Sequence, residues 1–389
     1  MMSGHLLCVV GTRPEAIKLA PVIRELRCRA SVTTGGTAPD GDQRLPGVRV
    51  SVCVTAQHRE MLDQVLRLFD IVPDYDLDVM TEDQTPSRVA AAVLQRLEPV
   101  LDAEHPDWVV VQGDTTTVAA TLLAAYHARV RSAHVEAGLR THDKWQPFPE
   151  EMNRRLAGVI ADLHFAPTVR AQQNLVGEGV PGDRILVTGN PVIDALQWVA
   201  ALPCEEVVAP RDGGEGGAPA RLILVTAHRR ESFGAPFEGI CRALRGIASR
   251  YGGDVHVVYP VHPNPSVQGP VTRLLGDVPN ITLLPPLDYL RLVHLMKRAY
   301  LVLTDSGGIQ EEAPGLGKPV LVLREVTERP EGVEAGTARV VGTEPDRIVA
   351  EAARLLDDRA AYDRMAKAVN PYGDGRAAGR IADALLGSL

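Results

Sequence analysis

Short runs of aliphatic and β-branched residues recur at positions 6–10, 48–54, 108–112 and 133–136, and again at 222–226, 255–260, 281–284, 301–304 and 320–323. Each is too short for a helix and nearly free of polar positions, which predicts strands buried on both faces. Helical patterns at 14–29, 59–69, 86–101 and 117–129 lie between the first runs, and helices intervene again in the second set. Alternation of buried strand and helix predicts a parallel sheet covered on both sides. Two such sets predict an α/β protein of two Rossmann-like, doubly wound domains.

The division is expected between 191 and 222, where GGEGG at 213–217 is the clearest flexible segment. That places 1–190 in the first domain and 191–372 in the second. A Pro-Tyr-Gly-Asp-Gly breaker precedes a last helix at about 375–386, so residues 373–389 are expected to return to the first domain. The polar, Gly- and Thr-rich stretch 31–47 is expected to be a surface loop between helix and strand.

Composition narrows the function. With 389 residues and 45% hydrophobic positions, two cores are feasible. A net charge of −8 argues against a general nucleic-acid binder. It still permits a small anionic ligand, because helix N-termini and local cations bind phosphate on acidic proteins. Five cysteines (Cys8, Cys28, Cys53, Cys204, Cys241) without paired spacing point to neither a disulfide framework nor a zinc site, and suit a reducing cytoplasm. No leader is apparent before the first strand, and no apolar run reaches the roughly 20 residues that span a bilayer. No metal and no membrane partner is expected.

Parallel α/β sheets bind ligands where strands end and helices begin, so the strand-to-helix junctions carry the chemistry. The strongest is LVLTDSGGIQEEAPGLGKPVLVL at 301–323. Ser306, Gly307 and Gly308 open a helix whose free N–H groups could cradle an oxyanion, although a plain serine cap accounts for the same residues. Glu311 and Glu312 lie in the same helix, one turn on, placed to accept ribose hydroxyls. At VVGTRPEAIKLAP, 9–21, Thr12 is placed to cap, and Arg13 and Lys18 could face an anion. Cations at a helix start oppose its dipole, which favours a ligand over idle surface charge.

Asp114 follows Gly113 after a strand, where an aspartate cap is a strong alternative for this residue type. Glu136 ends an apolar strand, a costly position for a charge that is neither used nor paired. Glu150 and Glu151 begin a helix after two prolines, where the dipole alone could explain them. Asp114, Glu136 and Glu150 can together supply general acid and base. LVTAHRRESFG at 224–234 puts His228, Arg229 and Arg230 after a strand, and VVYPVHPNPSV at 257–267 holds His262 in a proline-rich loop. Spacing alone assigns neither histidine. Arg329 lies at another helix start. No dinucleotide fingerprint, P-loop, metal-ligand spacing or nucleophile elbow occurs. That favours proton transfer and bond cleavage over hydride transfer or serine hydrolysis.

Taken in order, GTRPEAIKLAP, TAQHREMLDQVLRLFDIVPDYDL, GDTTT, HVEAGLRT, PEEMNRR, TGNPVIDAL, AHRRESFG, YPVHPNP, TDSGGIQEEAP, GKPVLVLREVTERPE, EAGT and NPYGDG resemble the bacterial non-hydrolysing UDP-N-acetylglucosamine 2-epimerases. The resemblance spans essentially the whole chain. Only 31–47 and about 205–220 stand outside it. It implies a glycosyltransferase-B-like fold with a ligand cleft between the domains. The implied reaction interconverts UDP-GlcNAc and UDP-ManNAc without NAD, metal or other cofactor, by anti elimination of UDP to 2-acetamidoglucal and syn re-addition. Asp114, Glu136 and Glu150 become the acid/base candidates, and His228 supports the diphosphate and catalysis. Arg13 and Lys18 bind ligand, Ser306, Gly307 and Gly308 hold the diphosphate, Glu312 the ribose, and Arg329 completes the site. Gln57, Arg229 and His262 match a second UDP-GlcNAc site used for allosteric activation. A homodimer in cell-envelope polysaccharide biosynthesis is the usual form.

One segment departs. Where the family often reads Pro-Gln-x-Tyr with an aromatic a few residues on, this chain has PPLDYLRLVHLM, with Leu287 and Leu292 at those positions. Altered base discrimination is expected there, without loss of the reaction. The rival readings are a 2-epimerase for another UDP-2-acetamido sugar, a hydrolysing epimerase releasing ManNAc, a glycosyltransferase of the same fold, and a silent sugar-nucleotide sensor. A transferase would need an acceptor groove, and a sensor has no use for three positioned carboxylates.

Overall fold

The computed structural model describes residues 4–30, 47–55, 59–81, 84–205 and 220–389. The segments around GGEGG and most of 31–47 lie outside them. The chain forms two compact units, Met1–Ala195 with Gly373–Leu389, and Leu196–Tyr372.

In the first unit the order is β1 (His5–Val10), α1 (Arg13–Ala30), β2 (Arg49–Val54), α2 (Arg59–Leu68), β3 (Tyr75–Asp76), α3 (Pro86–Glu104), β4 (Trp108–Gln112), α4 (Thr116–His127), β5 (Arg131–Val135), α5 (Glu150–Ile160), β6 (Leu163–Ala166), α6 (Val169–Gly177), β7 (Ile185–Val187) and the start of α7 (Pro191–Ala201). The strands form one parallel sheet, ordered β3-β2-β1-β4-β5-β6-β7. The order reverses between β1 and β4, so the loops after these strands leave on opposite faces and open a crevice at their carboxyl ends.

The second unit contains β8 (Arg221–Thr226), α8 (Ala235–Tyr251), β9 (Val255–Pro260), α9 (Pro265–Leu275), β10 (Ile281–Leu284), α10 (Tyr289–Arg298), β11 (Leu301–Thr304), α11 (Gly307–Gly315), β12 (Val320–Val322), α12 (Pro330–Glu334), β13 (Ala338–Val340), α13 (Pro345–Asp357) and α14 (Arg359–Ala366). Its parallel sheet runs β10-β9-β8-β11-β12-β13, with the reversal between β8 and β11. Alternation within these strands shows why they are apolar throughout. Ile223, Val225, Leu301 and Leu303 enter one buried cluster, while Leu222, Leu224 and Val302 enter another. Successive side chains point to opposite faces, and both faces are covered. On α8, Phe237, Ile240, Cys241, Leu244, Ile247 and Ala248 are buried, the stripe of a helix lying on a sheet.

The chain passes from the first unit to the second inside α7, not ahead of it. The first turn of α7 is held in the first unit by Asp194, whose carboxylate accepts the main-chain N–H of Ala377 at 3.2 Å and Ala378 at 2.9 Å. These are the opening residues of α15 (Ala377–Leu386), whose first N–H groups have no partner within the helix. α15 packs on α1.

Strands β3, β6, β7 and β13 have no counterpart among the runs read from sequence. Each has two to four residues, and all but β6 keep at most one buried position. β5 stops at Val135, so Glu136 stands just past the strand. α4 stops at His127, where Arg129 turns left-handed at φ 57°.

Candidate active site

In the first unit the crevice is built on two turns. After β1, Gly11 approaches Thr117 so closely that a Cβ would stand 2.8 Å from its Oγ1, so only glycine fits. Glu15, three residues into the helix from Thr12, reaches back. Its Oε2 accepts the N–H of Gly11 at 2.5 Å and of Thr12 at 3.2 Å. This is the returning half of a capping box, and it fixes the turn from which Arg13 and Lys18 emerge. Glu15 is 3% exposed, and burial pushes its carboxyl up to about 7. After β4, Gly113 adopts φ 86°, and its carbonyl lies 2.6 Å from Nε2 of the buried His134.

Glu136 lies at the centre of this edge. Its backbone is left-handed at φ 63°, a conformation costing on the order of 1 kcal/mol in a non-glycine residue. The residue is 7% exposed. Oε1 accepts from Lys18 Nζ at 2.5 Å and Asn190 Nδ2 at 2.9 Å, and Oε2 accepts from Gln112 Nε2. A buried carboxylate is tolerable only with such donors and a counter-charge. Lys18 and Glu136, separated by most of the unit in sequence, are thus one pair.

Asp114 is not a helix cap. Thr115 caps α4, accepting from Val118 N, and the Asp114 carboxylate turns to Arg154. Arg154 Nε and its outer nitrogen both lie 2.8 Å from Oδ2. Glu150 opens α5, half-buried, with Oε2 out of solvent and without a hydrogen-bond partner among the described residues. Its neighbour Glu151 is fully buried and accepts from Thr141 N, His142 N and Arg154.

In the second unit the turn after β11 meets the turn after β8 through Asp305. Its side chain is fully buried, and Oδ2 accepts the N–H of His228 at 2.6 Å and of Arg229 at 2.7 Å. His228 stacks on His262 with ring centroids 5.1 Å apart and planes within 7°. Burial lowers the pKa of His228, and the Asp305 carboxylate opposes that shift. Arg229 reaches Glu328 at 3.6 Å. Gln57 lies outside the described residues.

Ser306 occupies the cap position of α11, yet its side chain makes no capping bond. The plain-cap alternative is therefore not realised. A Cβ at Gly307 would come within 3.0 Å of Glu328 Oε1. Glu312, buried, accepts from Tyr289 OH at 2.9 Å. Arg329, 8% exposed, binds Glu311 through Nε. Tyr372 OH then bridges the Arg329 carbonyl and Gly332 N. Leu287 and Leu292 pack against the apolar cluster around Val258, Met296 and Ile309.

Glu15, Gln112, Asn190, Arg154 and Asp305 carry much of this arrangement and were not singled out from sequence. Each acts on a partner far along the chain or through main-chain atoms, so no local pattern reveals it. Among the described residues no group of three or more metal-ligating side chains occurs, and no helix is long and apolar enough to cross a membrane.

The family model of UDP-N-acetylglucosamine 2-epimerase matches residues 43–386. A UDP-N-acetylglucosamine 2-epimerase of Escherichia coli (strain K12) is 52% identical over 389 residues, covering 98% of each chain. The crystal structure of UDP-GlcNAc 2-epimerase from Neisseria meningitidis bound to UDP-GlcNAc is 42% identical, with a TM-score of 0.85, over 98% of this chain and 100% of that one. A calicheamicin glycosyltransferase, at 16% identity and TM-score 0.59 over 100% of this chain and 98% of its own, shares the fold alone. The chain belongs to the UDP-N-acetylglucosamine 2-epimerase family.

Proposed function

We propose that this chain interconverts UDP-N-acetylglucosamine and UDP-N-acetylmannosamine without releasing free sugar. The C2 hydrogen is not acidic, so its removal must accompany departure of a stabilised leaving group. In the first step a carboxylate takes the C2 proton, the C–H electron pair becomes the C1=C2 bond, and the C1–O pair leaves with UDP. The product is 2-acetamidoglucal. In the second step a UDP oxygen re-forms the bond to C1, while a carboxyl group returns a proton to C2 from the opposite face. No net oxidation occurs, so the cycle needs no redox cofactor.

The observation that carries this reading is the pairing of chemistries at the two sheet reversals. After β4 and β5 stand carboxylates with cations beside them, Asp114 with Arg154 and Glu136 with Lys18. After β11 stands a glycine-rich helix start whose serine makes no capping bond. The first supplies acid and base, with Glu150 as the third carboxylate. The second stabilises the leaving diphosphate through helix N–H donors. Arg13 and Lys18 add positive charge, Glu312 accepts ribose hydroxyls, and Arg329 completes the nucleotide site by holding Glu311. Leu287 and Leu292 offer the uracil apolar contact in place of side-chain hydrogen bonds.

The same reading has the enzyme working in the cytoplasm as a homodimer, supplying a precursor for cell-envelope polysaccharide. It also assigns Gln57, Arg229 and His262 to a second UDP-GlcNAc molecule that activates turnover. Incubation with UDP-N-acetylglucosamine followed by proton and phosphorus NMR is the test. UDP-N-acetylmannosamine as the new species supports the proposal. Free N-acetylmannosamine with UDP, or transfer to an added acceptor, refutes it.

A further inference from the structure

Asp114 leaves β4 through a glycine turn, and a carboxylate there has a soft terminal torsion. Nothing in its own loop fixes it. The fixing comes from α5, some 40 residues on. Asn153 Nδ2 donates to the Asp114 carbonyl at 2.9 Å. Arg154, 7% exposed, places two nitrogens 2.8 Å from the single oxygen Oδ2, while Oδ1 takes no bond from any described residue. The third face of the guanidinium is held by Glu151, which is fully buried and itself tied to Thr141 N at 3.0 Å and His142 N at 3.1 Å. If Arg154 swung away, the buried Glu151 would keep its two main-chain donors but lose its nearer cation, with Arg155 at 3.7 Å remaining.

We propose that Arg154 is a positioning residue for Asp114. It grips Asp114 by Oδ2 and leaves Oδ1 as the oxygen that handles the proton at C2. Glu151 is the anchor that keeps the guanidinium in place. This rests on the reading that Asp114 acts on the sugar. A neutral or flexible partner would let the carboxylate rotate, and a misplacement of about 1 Å costs on the order of 100-fold in rate.

Arg154→Gln and Arg154→Lys, assayed in the full-length enzyme for conversion of UDP-N-acetylglucosamine, test the proposal beside Asp114→Asn. Arg154→Gln is expected to lower kcat about 100-fold while KM stays within about threefold, because the lost interaction orients a reacting group and does not bind substrate. Arg154→Lys keeps the charge without the fork and is expected to recover about tenfold of that loss. A purely structural role predicts neither the split between kcat and KM nor the rescue. The proposal is overturned by Arg154→Gln with kcat within about threefold of the parent, by a raised KM at unchanged kcat, or by a folded Arg154→Lys no better than Arg154→Gln. Where Arg154→Gln does not fold, Arg154→Lys decides alone: a kcat about tenfold low at unchanged KM supports it, and parental kcat overturns it. An inactive Asp114→Asn beside a fully active Arg154→Gln sinks only this inference. An active Asp114→Asn sinks the assignment of Asp114 itself.

Discussion

Lys18 Nζ stands 2.5 Å from Glu136 Oε1, both side chains almost wholly out of solvent, at 13% and 5% exposure. The pair joins the first helix to the residue just past β5 and holds a carboxylate in the crevice. Removing one partner of a buried pair leaves an uncompensated charge, which costs about 3 kcal/mol or more. Lys18→Met should destabilise the chain by about that amount and abolish turnover. Adding Glu136→Gln to Lys18→Met should restore part of the lost stability. Urea unfolding of the two single variants and the double variant measures the coupling. Strict additivity would contradict the pairing.

Glu15 makes stability depend on pH in a direction unusual for a carboxylate. Its folded pKa is raised from the ordinary 4.5 to about 7 by burial. The folded chain therefore holds a proton that the unfolded chain releases between these values. Its contribution is complete below 4.5 and is lost as pH rises through 7, by about 3 kcal/mol at most. Glu15→Gln should be relatively more stable at pH 8 than at pH 5, compared with the parent. Equal differences at both pH values would rule the burial effect out.

His134 works the other way. Burial lowers its pKa from 6.5 to about 4, and His164 behind it is lowered likewise. The unfolded chain takes up protons that the folded chain refuses, so stability falls as pH drops from 6.5 to 4. The loss from His134 is about 3 kcal/mol at most. It opposes the gain from Glu15 over nearly the same range, while His164 adds to the loss in the same direction as His134. His134→Asn should flatten the acid side of the stability curve, followed by thermal unfolding between pH 4 and 7. An unchanged slope would contradict the assignment.

Ser306 offers a contrast between fold and ligand. A serine that caps its helix loses about 1 kcal/mol on replacement by alanine. Ser306 makes no such bond. Ser306→Ala should therefore leave the melting temperature nearly unchanged while weakening UDP binding about tenfold, the value of one hydrogen bond to a charged oxygen. Calorimetric titration with UDP checks this. Wild-type affinity with a lowered melting temperature would make Ser306 a structural residue.

Much of this was legible in the chain because the physics is local. Strands buried on both faces read as unbroken apolar runs, as at Leu301–Thr304, and the glycine turn after Asp305 announced a helix start open to an anion. The short edge strands β3, β7 and β13 carry little pattern because pairing at an edge needs little apolar sequence, as Ile185–Val187 shows with one buried residue. For Asp114 the cap is the strong local alternative, and the partner its carboxylate meets instead, Arg154, is brought to it only by folding. Glu15 lies within GTRPEAIKLAP, and its type and spacing alone do not mark it out. Its role is to hold main-chain N–H groups, and side-chain chemistry gives no hint of that.

The most direct test of the central claim is turnover of UDP-N-acetylglucosamine in deuterated water, with the nucleotide sugars examined by NMR. Elimination and re-addition predict deuterium at C2 of the UDP-N-acetylmannosamine formed, with none elsewhere on the ring. Its absence from C2 of both UDP-sugars, with the hexose instead hydrolysed or transferred, would contradict the account.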